Sequence, residues 1–348
     1  MAKALMIIFD SLRKDVFDRS CHPLLESWRA EGTAFENCYS QSGFTLISFS
    51  SILTGCFPSR TTMHLKRPAC YSQGRRGRQT DPVWWWLEDA KHTHLVLEET
   101  RSIRRSALSL FENKLLTIDY SKTNAFLELT ERQMLPSLEY GSAFTAFYDR
   151  FRHVGSQDDF LMVIRIFDTH LPYGRGVSGC DAPTVSEIKK KVASLYSLDN
   201  GRTLLEDVAV KALERALDYL NCLWRWISPR LDFAAIMSDH GDQWSSAPHK
   251  VGHGRFLSRP VLRVPLIVVD KQRSGRCNTP CNNVDVLATL LATCGKKADW
   301  KMDGRKLNDP PSQPFCTEAN SLRGEFTYIP ERESASLLND VEDPTPSC

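Results

Sequence analysis

The sequence has no surplus of charge of either sign and no long hydrophobic run. Its 44 Lys and Arg residues nearly balance its 42 Asp and Glu residues, which leaves a formal net charge of +2. This balance gives no electrostatic case for nucleic acid or a membrane surface as a partner. No run approaches the roughly 20 apolar residues of a membrane span, and the first apolar stretch ends at Asp10, too early for a signal peptide. We therefore expect a cytoplasmic protein that binds neither nucleic acid nor a membrane. The sequence leaves its oligomeric state open.

The cysteines lack the pattern of a disulfide framework or of a zinc site. There are 11 of them, an odd number, and they are scattered along the chain. In a reducing compartment such cysteines are free and behave as small hydrophobic residues. The spacing of Cys277 and Cys281 could begin a zinc motif, but no second Cys or His pair lies nearby. We expect these two residues to be structural.

Short apolar runs alternate with helix-like stretches. The strand-like runs cover 4–9, 94–97, 160–167, 233–237 and 264–269, and 65–82 is a predicted loop. The clearest helix is 205–227, where Val208, Leu213, Ala216 and Leu220 recur at three- to five-residue steps. This alternation predicts an α/β fold, with a mostly parallel central sheet sandwiched by helices. After residue 308 the composition shifts toward Pro, Ser and acidic residues. We therefore predict a main domain at 1–308 and a small, partly disordered C-terminal appendage at 309–348.

Acidic residues and histidines follow the predicted strands directly. The run at 4–9 leads into Asp10, and the run at 233–237 leads into Asp239 and His240. Open α/β sheets bind their ligands at the carboxyl ends of parallel strands. A hard carboxylate oxygen beside a neutral imidazole suits a divalent metal ion. These positions therefore predict a metal site.

Further polar residues are expected at the same edge of the sheet. Asp168 and His170 follow the run at 160–167, and His249 and His253 lie in the loop after His240. The segment 43–55 is typical of a loop that enters a helix, and a helix N-terminus favours an anion. A hydroxyl at that position, close to a divalent cation, can be deprotonated and act as a nucleophile.

The ordered set of motifs resembles the alkaline phosphatase/sulfatase superfamily, specifically its sulfatase-like branch. The match runs in the family's order over about residues 3–308. The segments that carry it are Phe9-Asp10-Ser11-Leu12-Arg13, Glu31-Gly32-Thr33-Ala34-Phe35-Glu36-Asn37-Cys38-Tyr39, Ser50-Ser51-Ile52-Leu53-Thr54-Gly55, Asp168-Thr169-His170-Leu171-Pro172-Tyr173, Ser238-Asp239-His240-Gly241-Asp242, Gly252-His253-Gly254, Leu262-Arg263-Val264-Pro265-Leu266 and Asp303-Gly304-Arg305. Each motif is weak alone, but the ordered set is specific. The resemblance implies that 1–308 is a catalytic domain that hydrolyses or transfers phosphate mono- or diesters. A sulfatase and a non-catalytic binding protein are the alternatives.

The resemblance also indicates which residue is the nucleophile. Cys56-Phe57-Pro58-Ser59-Arg60 has the letters of the formylglycine motif of sulfatases, but Leu53-Thr54-Gly55 precedes the cysteine here, whereas in the family it follows. Counting back from Thr54 by the family's spacing places Thr45 at the nucleophile position. Threonine there is typical of the phosphodiesterase and phosphoglycerol-transferase relatives. The resemblance thus implies a covalent Thr45 intermediate.

The same resemblance assigns the other roles. It implies that one divalent metal ion is held by Asp10, Thr45, Asp239 and His240. It implies that His170 and His253 bind the oxygens of a small anionic ester and protonate its leaving group. Ser11 stands where the family often has a second Asp, which favours Mn²⁺ or Zn²⁺ and leaves Ca²⁺ and Mg²⁺ as alternatives. A second metal ion at Asp168 and His249 is a weaker alternative. The alcohol of the ester is left open.

Overall fold

The structure is a computed structural model. It describes residues 2–58, 117–119, 160–166, 168–171, 173, 185–254, 256–271, 274–298, 300–307, 309, 317–320 and 326–329. The predicted strand at 94–97 and the predicted loop at 65–82 lie outside the described residues.

The described residues form strands that alternate with helices. The strands are β1 Lys3–Phe9, β2 Thr33–Tyr39, β3 Thr117–Asp119, β4 Phe160–Ile166, β5 Phe233–Ser238, β6 Arg263–Val269, β7 Gly275–Cys277, β8 Cys281–Asn282, β9 Thr317–Asn320 and β10 Phe326–Ile329. The α-helices are α1 Lys14–Arg19, α2 Pro23–Glu31, α3 Thr45–Thr54, α4 Val185–Tyr196, α5 Gly201–Ile227, α6 Arg259–Leu262 and α7 Asn283–Thr293, with short 3₁₀ helices at Ser228–Arg230 and Pro248–Lys250.

The central sheet has the order β3-β4-β1-β5-β6-β2-β7, with β8 paired to β2. Strand β1 runs parallel to both β4 and β5, and β6 is antiparallel to both of its neighbours. Phe9, at the end of β1, pairs with Ile166 of β4 and with Ser238 of β5. The predicted mostly parallel α/β sheet is therefore confirmed, and three strands end at the same level of one edge.

Helices cover both faces of this sheet, which explains the nearly continuous apolar runs of its strands. Leu5, Ile7 and Phe9 of β1 pack into a cluster with α1, α2, α4 and α5. Met6 and Ile8 point the opposite way, into a cluster with α3 and α7. Because successive side chains of a strand alternate between faces, a strand buried on both faces has no polar position.

Helix α5 begins at Gly201, four residues before the predicted start at 205. Its first turn includes the exposed Leu204, so the apolar periodicity is not visible there. The helix predicted from the apolar periodicity is present, but Val208, one of the residues of that pattern, is 48% exposed. The buried stripe instead contains Leu205, Ala209 and Leu213. Adjacent residues on a helix point about 100° apart, and Val208 lies just outside the edge of this stripe.

The C-terminal strands form a sheet of their own. Strands β9 and β10 pair antiparallel as a two-stranded sheet. Leu307 packs in the cluster beneath α3 and α7. The boundary between 308 and 309 stays a prediction. In the part of the chain that the structure describes, every helix is too short or too polar to cross a membrane.

The cysteines whose side chains the structure describes are thiols and not disulfides: Cys21, Cys38, Cys56, Cys277, Cys281 and Cys294. Cys281 of β8 is buried and pairs in register with Cys38 of β2. Burial, together with the neighbouring Cys38, raises the pKa of the Cys281 thiol well above its ordinary value. Buried thiols of this kind are unreactive, which agrees with a structural role. The cytoplasmic location stays a prediction.

Candidate active site and metal centre

Asp10 is held rigidly at the end of β1. Its amide donates to the Ile166 carbonyl at 2.8 Å, and its carbonyl accepts a hydrogen bond from the Thr169 hydroxyl at 2.7 Å. The residue is fully buried. Strand β4 and the turn after it therefore fix the direction in which the Asp10 carboxylate points.

Asp239 and His240 follow β5 and are also fully buried. The Asp239 Oδ1 atom accepts hydrogen bonds from the Ser11 amide at 3.0 Å and from the His240 amide at 2.8 Å. His240 Nδ1 lies 3.0 Å from the Gly241 carbonyl oxygen, so we assign the ring proton to Nδ1. His240 Nε2 then carries a lone pair and is free of a proton, as metal ligation requires.

Three side chains donate hydrogen bonds to the backbone carbonyl of Asp239. It accepts hydrogen bonds from Ser40 Oγ at 2.5 Å, from Ser48 Oγ at 2.6 Å and from Asn283 Nδ2 at 3.3 Å. Ser48 is on α3, and Asn283 begins α7, so both helices are joined to the end of β5. Sequence reasoning missed all three. The only available signal was that Ser48 lies three residues after Thr45, on the same side of the helix.

Asp10, Asp239 and His240 each place one potential ligand atom within 4.8 Å of the others. No other such group of at least three His, Cys, Asp or Glu residues occurs among the described residues. Two buried carboxylates this close repel each other unless a cation lies between them. The donor set of two carboxylates and one neutral imidazole therefore fits a divalent metal ion.

Thr45 is the first residue of α3, and its side chain joins this group. The hydroxyl oxygen Oγ1 lies 3.0 Å from His240 Nε2. At the far end of the helix, Gly55 adopts a left-handed conformation with φ 65° and closes the last turn. The helix thereby presents its N-terminus, with the Thr45 hydroxyl, to the ends of the strands.

Cys56 lies at the opposite end of α3 from Thr45. A helix of 10 residues is about 15 Å long. The Cys56 thiol is directed to the carbonyls of Thr54 and Lys301, at 3.5 and 3.6 Å. The structure therefore brings Thr45, and not Cys56, to the candidate metal ligands.

His170 and His253 lie beside the metal ligands. The ring of His253 is 4.4 Å from that of His240 and 5.0 Å from that of His170, centroid to centroid. His170 Nδ1 hydrogen-bonds to the Leu171 carbonyl at 2.5 Å. Both histidines are partly exposed, so they border the side of the site that a substrate can reach.

Asp242 orients His253. The Asp242 Oδ1 atom lies 2.6 Å from His253 Nδ1, and Asp242 is fully buried. Burial by itself lowers the pKa of His253, but the Asp242 and Asp239 carboxylates together raise it more, so the pKa lies above the ordinary value. Asp242 was noticed in the sequence only as part of a motif, because its partner lies 11 residues away and only the folded loop joins the two.

The loop that carries Asp242 is itself fixed. The buried Arg13 donates from Nη1 to the Asp242 carbonyl at 3.0 Å and pairs with Asp15. Its guanidinium also lies 3.8 Å from the centre of the Trp244 ring. Gly241 tolerates no side chain, because a Cβ there would lie 2.0 Å from the Pro260 carbonyl oxygen.

The two residues named for a second metal ion, Asp168 and His249, differ in their burial. Asp168 is buried, and burial raises its pKa to about 6. His249 is exposed in the 3₁₀ helix Pro248–Lys250. Neither belongs to the one ligand group found among the described residues.

Ser11 lies at the centre of the site. Its hydroxyl is 3.0 Å from Asp10 Oδ1 and 3.4 Å from Nδ1 of both His240 and His253. Its φ of 58° is in the left-handed region, where Asn and Asp are enriched several-fold. The backbone therefore accommodates an acidic residue at this position.

We expect Ser11→Asp to shift metal preference toward Ca²⁺. The added carboxylate supplies the hard anionic oxygen that Ca²⁺ favours, so the ratio of Ca²⁺ to Mn²⁺ affinity should rise by about tenfold or more. Calorimetric titration of the metal-free protein with each ion measures this ratio. Ser11→Asn is the matched control because it suits the same backbone without adding charge. An equal change in both variants would contradict the prediction.

No family model matches the sequence, and the comparison with curated proteins finds no match. Solved structures do match. A phosphonate monoester hydrolase from Silicibacter pomeroyi has a TM-score of 0.57 at 15% identity, over 92% of this chain and 80% of that one. BT1596, a 2-O GAG sulfatase, has a TM-score of 0.55 at 14% identity, over 91% and 77%. A Vibrio parahaemolyticus protein in the alkaline phosphatase superfamily has a TM-score of 0.51 at 13% identity, over 97% and 85%.

The chain has an alkaline phosphatase-like fold. The resemblance inferred from the ordered motifs is thus confirmed at the level of the fold. Identities of 13–15% support a similarity of fold alone. The roles of individual residues must therefore be argued from the geometry of the site.

Proposed function

We propose that the protein is a metal-dependent hydrolase or transferase of phosphate mono- or diesters, with Thr45 as the nucleophile. The observation that carries this proposal is the 3.0 Å distance between Thr45 Oγ1 and His240 Nε2. It places a hydroxyl at a helix N-terminus beside two buried carboxylates, Asp10 and Asp239. The similar solved structures include a phosphonate monoester hydrolase and a sulfatase, which supports ester chemistry at a tetrahedral centre.

Four residues would hold the metal ion: Asp10, Thr45, Asp239 and His240. A bound divalent ion makes an adjacent hydroxyl easier to ionise and neutralises charge on the group being transferred. With Ser11 in place of a further carboxylate, the mixed oxygen and nitrogen set favours Mn²⁺ or Zn²⁺ over Ca²⁺ or Mg²⁺.

Thr45 attacks the phosphorus in line with the leaving alcohol. The bond from Thr45 Oγ1 to phosphorus forms as the bond from phosphorus to the alcohol oxygen breaks, and the N-terminus of α3 stabilises the anionic group. The departing oxygen takes a proton from His253 or His170, both of which border the site. Water, or a second alcohol, then displaces Thr45 from the covalent ester and gives its proton to the histidine that protonated the first alcohol, so that Thr45 leaves as the oxyanion that began the cycle.

We expect Asp242→Asn to move the alkaline limb of the pH–activity profile to lower pH. In the wild type, Asp242 raises the pKa of His253, so the imidazolium that donates the proton persists to higher pH. Without the carboxylate that pKa falls, and the acid form is lost earlier as the pH rises. Profiles of kcat/KM against pH for the two proteins measure the shift, and an unmoved limb would show that His253 is not the acid.

Sulfate esters are the second candidate substrate, because one of the similar structures is a sulfatase. The position of Cys56, at the end of α3 remote from the metal ligands, argues against a formylglycine mechanism. The values of kcat/KM on a panel of chromogenic phosphate monoesters, phosphate diesters and sulfate esters decide between phosphate and sulfate esters as the substrate class. A non-catalytic binding protein is the third reading, and failure to bind any divalent ion in stoichiometric amount would favour it.

A further inference from the structure

We propose that Lys189 binds an anionic group on the leaving alcohol of the substrate, so that the substrates are esters of negatively charged alcohols. This inference rests on the proposed function and adds the substrate class to it. Lys189 was not singled out in the sequence, and it belongs to neither the metal group nor the histidine pair.

The Lys189 side chain lies beside the loop that carries His253. Helix α4 packs against the 3₁₀ helix Pro248–Lys250, which leads to Gly252 and His253. Lys189 Nζ lies 3.5 Å from the point that a Cβ on Gly252 would occupy. Gly252 has φ +107°, a conformation that side-chain-bearing residues rarely adopt, so the ammonium approaches the bare backbone of this loop.

Lys189 differs from its neighbouring lysines in burial. Lys189, Lys190 and Lys191 are consecutive, but Lys189 is half-buried whereas the other two are exposed. Lys189 follows the buried Ile188 and precedes the buried Val192 by three positions. Its aliphatic stem therefore lies along the edge of the apolar face of α4, and its charged end extends toward the site.

The residue next to Gly252 in the chain is His253, which we assign to protonate the leaving alcohol. Because Lys189 Nζ approaches Gly252, an anionic group on that alcohol would lie near the ammonium. A compact ammonium with three donors suits a carboxylate or phosphate group there.

The test compares two esters with the same chromophore, 4-nitrophenyl phosphate and its derivative with a carboxylate on the ring. We expect the wild type to prefer the carboxylated ester. In Lys189→Ala the ratio of kcat/KM between the two esters should fall by about 10- to 100-fold, mainly through KM, as the loss of a charge-assisted hydrogen bond predicts. Lys189→Arg should retain most of the preference, and Lys190→Ala should leave it unchanged.

Three results would overturn the proposal. The first is an unchanged ratio in Lys189→Ala, and the second is a wild type with no preference for the carboxylated ester. The third is an equal loss in Lys190→Ala, which would indicate the general charge of α4 and not a contact. Calorimetric titration with the free carboxylated nitrophenol gives a readout independent of turnover, and its binding should weaken only in Lys189→Ala. Because Thr45→Ala should still bind that phenol, failure of this inference is distinguishable from failure of the proposed nucleophile.

Discussion

Thr45→Ala is expected to abolish ester turnover while leaving the protein folded. The change removes both the proposed attacking oxygen and a proposed metal ligand, and losing a nucleophile costs about 10³-fold in kcat or more. Alanine at the first position of α3 breaks no packing contact of the core clusters, since Thr45 belongs to neither. Steady-state kinetics on the best ester of the panel, together with the unfolding temperature, measures both parts of the prediction.

Matched variants sharpen this experiment. Thr45→Ser keeps a hydroxyl at the same position and should retain part of the activity. Cys56→Ala, at the other end of α3, should retain nearly all of it. Peptide mass spectrometry of acid-quenched wild-type protein should find a phosphoryl group on Thr45. Wild-type rates in Thr45→Ala, or complete loss of activity in Cys56→Ala, would indicate that Cys56 and not Thr45 is the nucleophile.

Asp239→Asn is expected to have opposite effects on stability with and without metal. In the metal-free protein, Asp10 and Asp239 are fully buried carboxylates in one ligand group, and removing one charge relieves their repulsion. The metal-free variant should therefore unfold at a higher temperature than the metal-free wild type. The variant should also lose stoichiometric metal binding and nearly all of its activity.

Thermal unfolding with and without Mn²⁺ or Zn²⁺ measures this reversal. At 100 times its dissociation constant, a metal ion stabilises the wild type by about 2.7 kcal/mol, and this gain should be absent in Asp239→Asn. Asp242→Asn is the control, because it neutralises a buried carboxylate of the same loop that is outside the ligand group. A metal-induced shift as large in Asp239→Asn as in the wild type would exclude Asp239 as a ligand.

The main elements could be predicted because each has a local cause. Strand β1 could be predicted because both of its faces are buried, which gives a continuous apolar run. Its end at Asp10 could be predicted because the apolar run stops there. The order of the motifs then indicated which strand ends meet. Val208 shows the limit of this reasoning, because an apolar residue beside the buried stripe cannot be distinguished from a member of it without knowing which face meets the sheet.

The residues that position the site could not be predicted, since their roles depend on contacts between distant segments. Asn283 and Ser48 hold the Asp239 carbonyl from two different helices. Asp242 acts only through His253, and Lys189 differs from Lys190 only in the face of α4 that it occupies. Hydrogen-bond partners separated by tens to hundreds of residues leave no periodic trace in the sequence.

The sequence by itself determined the class of fold and the candidate metal ligands, because burial on two faces and abrupt polar strand ends are local properties. Only the tertiary structure decided that Thr45, and not Cys56, reaches His240, because the direction of α3 depends on its packing against α7 and on the turn at Gly55. Only the tertiary structure placed Ser11 between the carboxylate and the two imidazoles, because strands β1 and β5 must first pair in register.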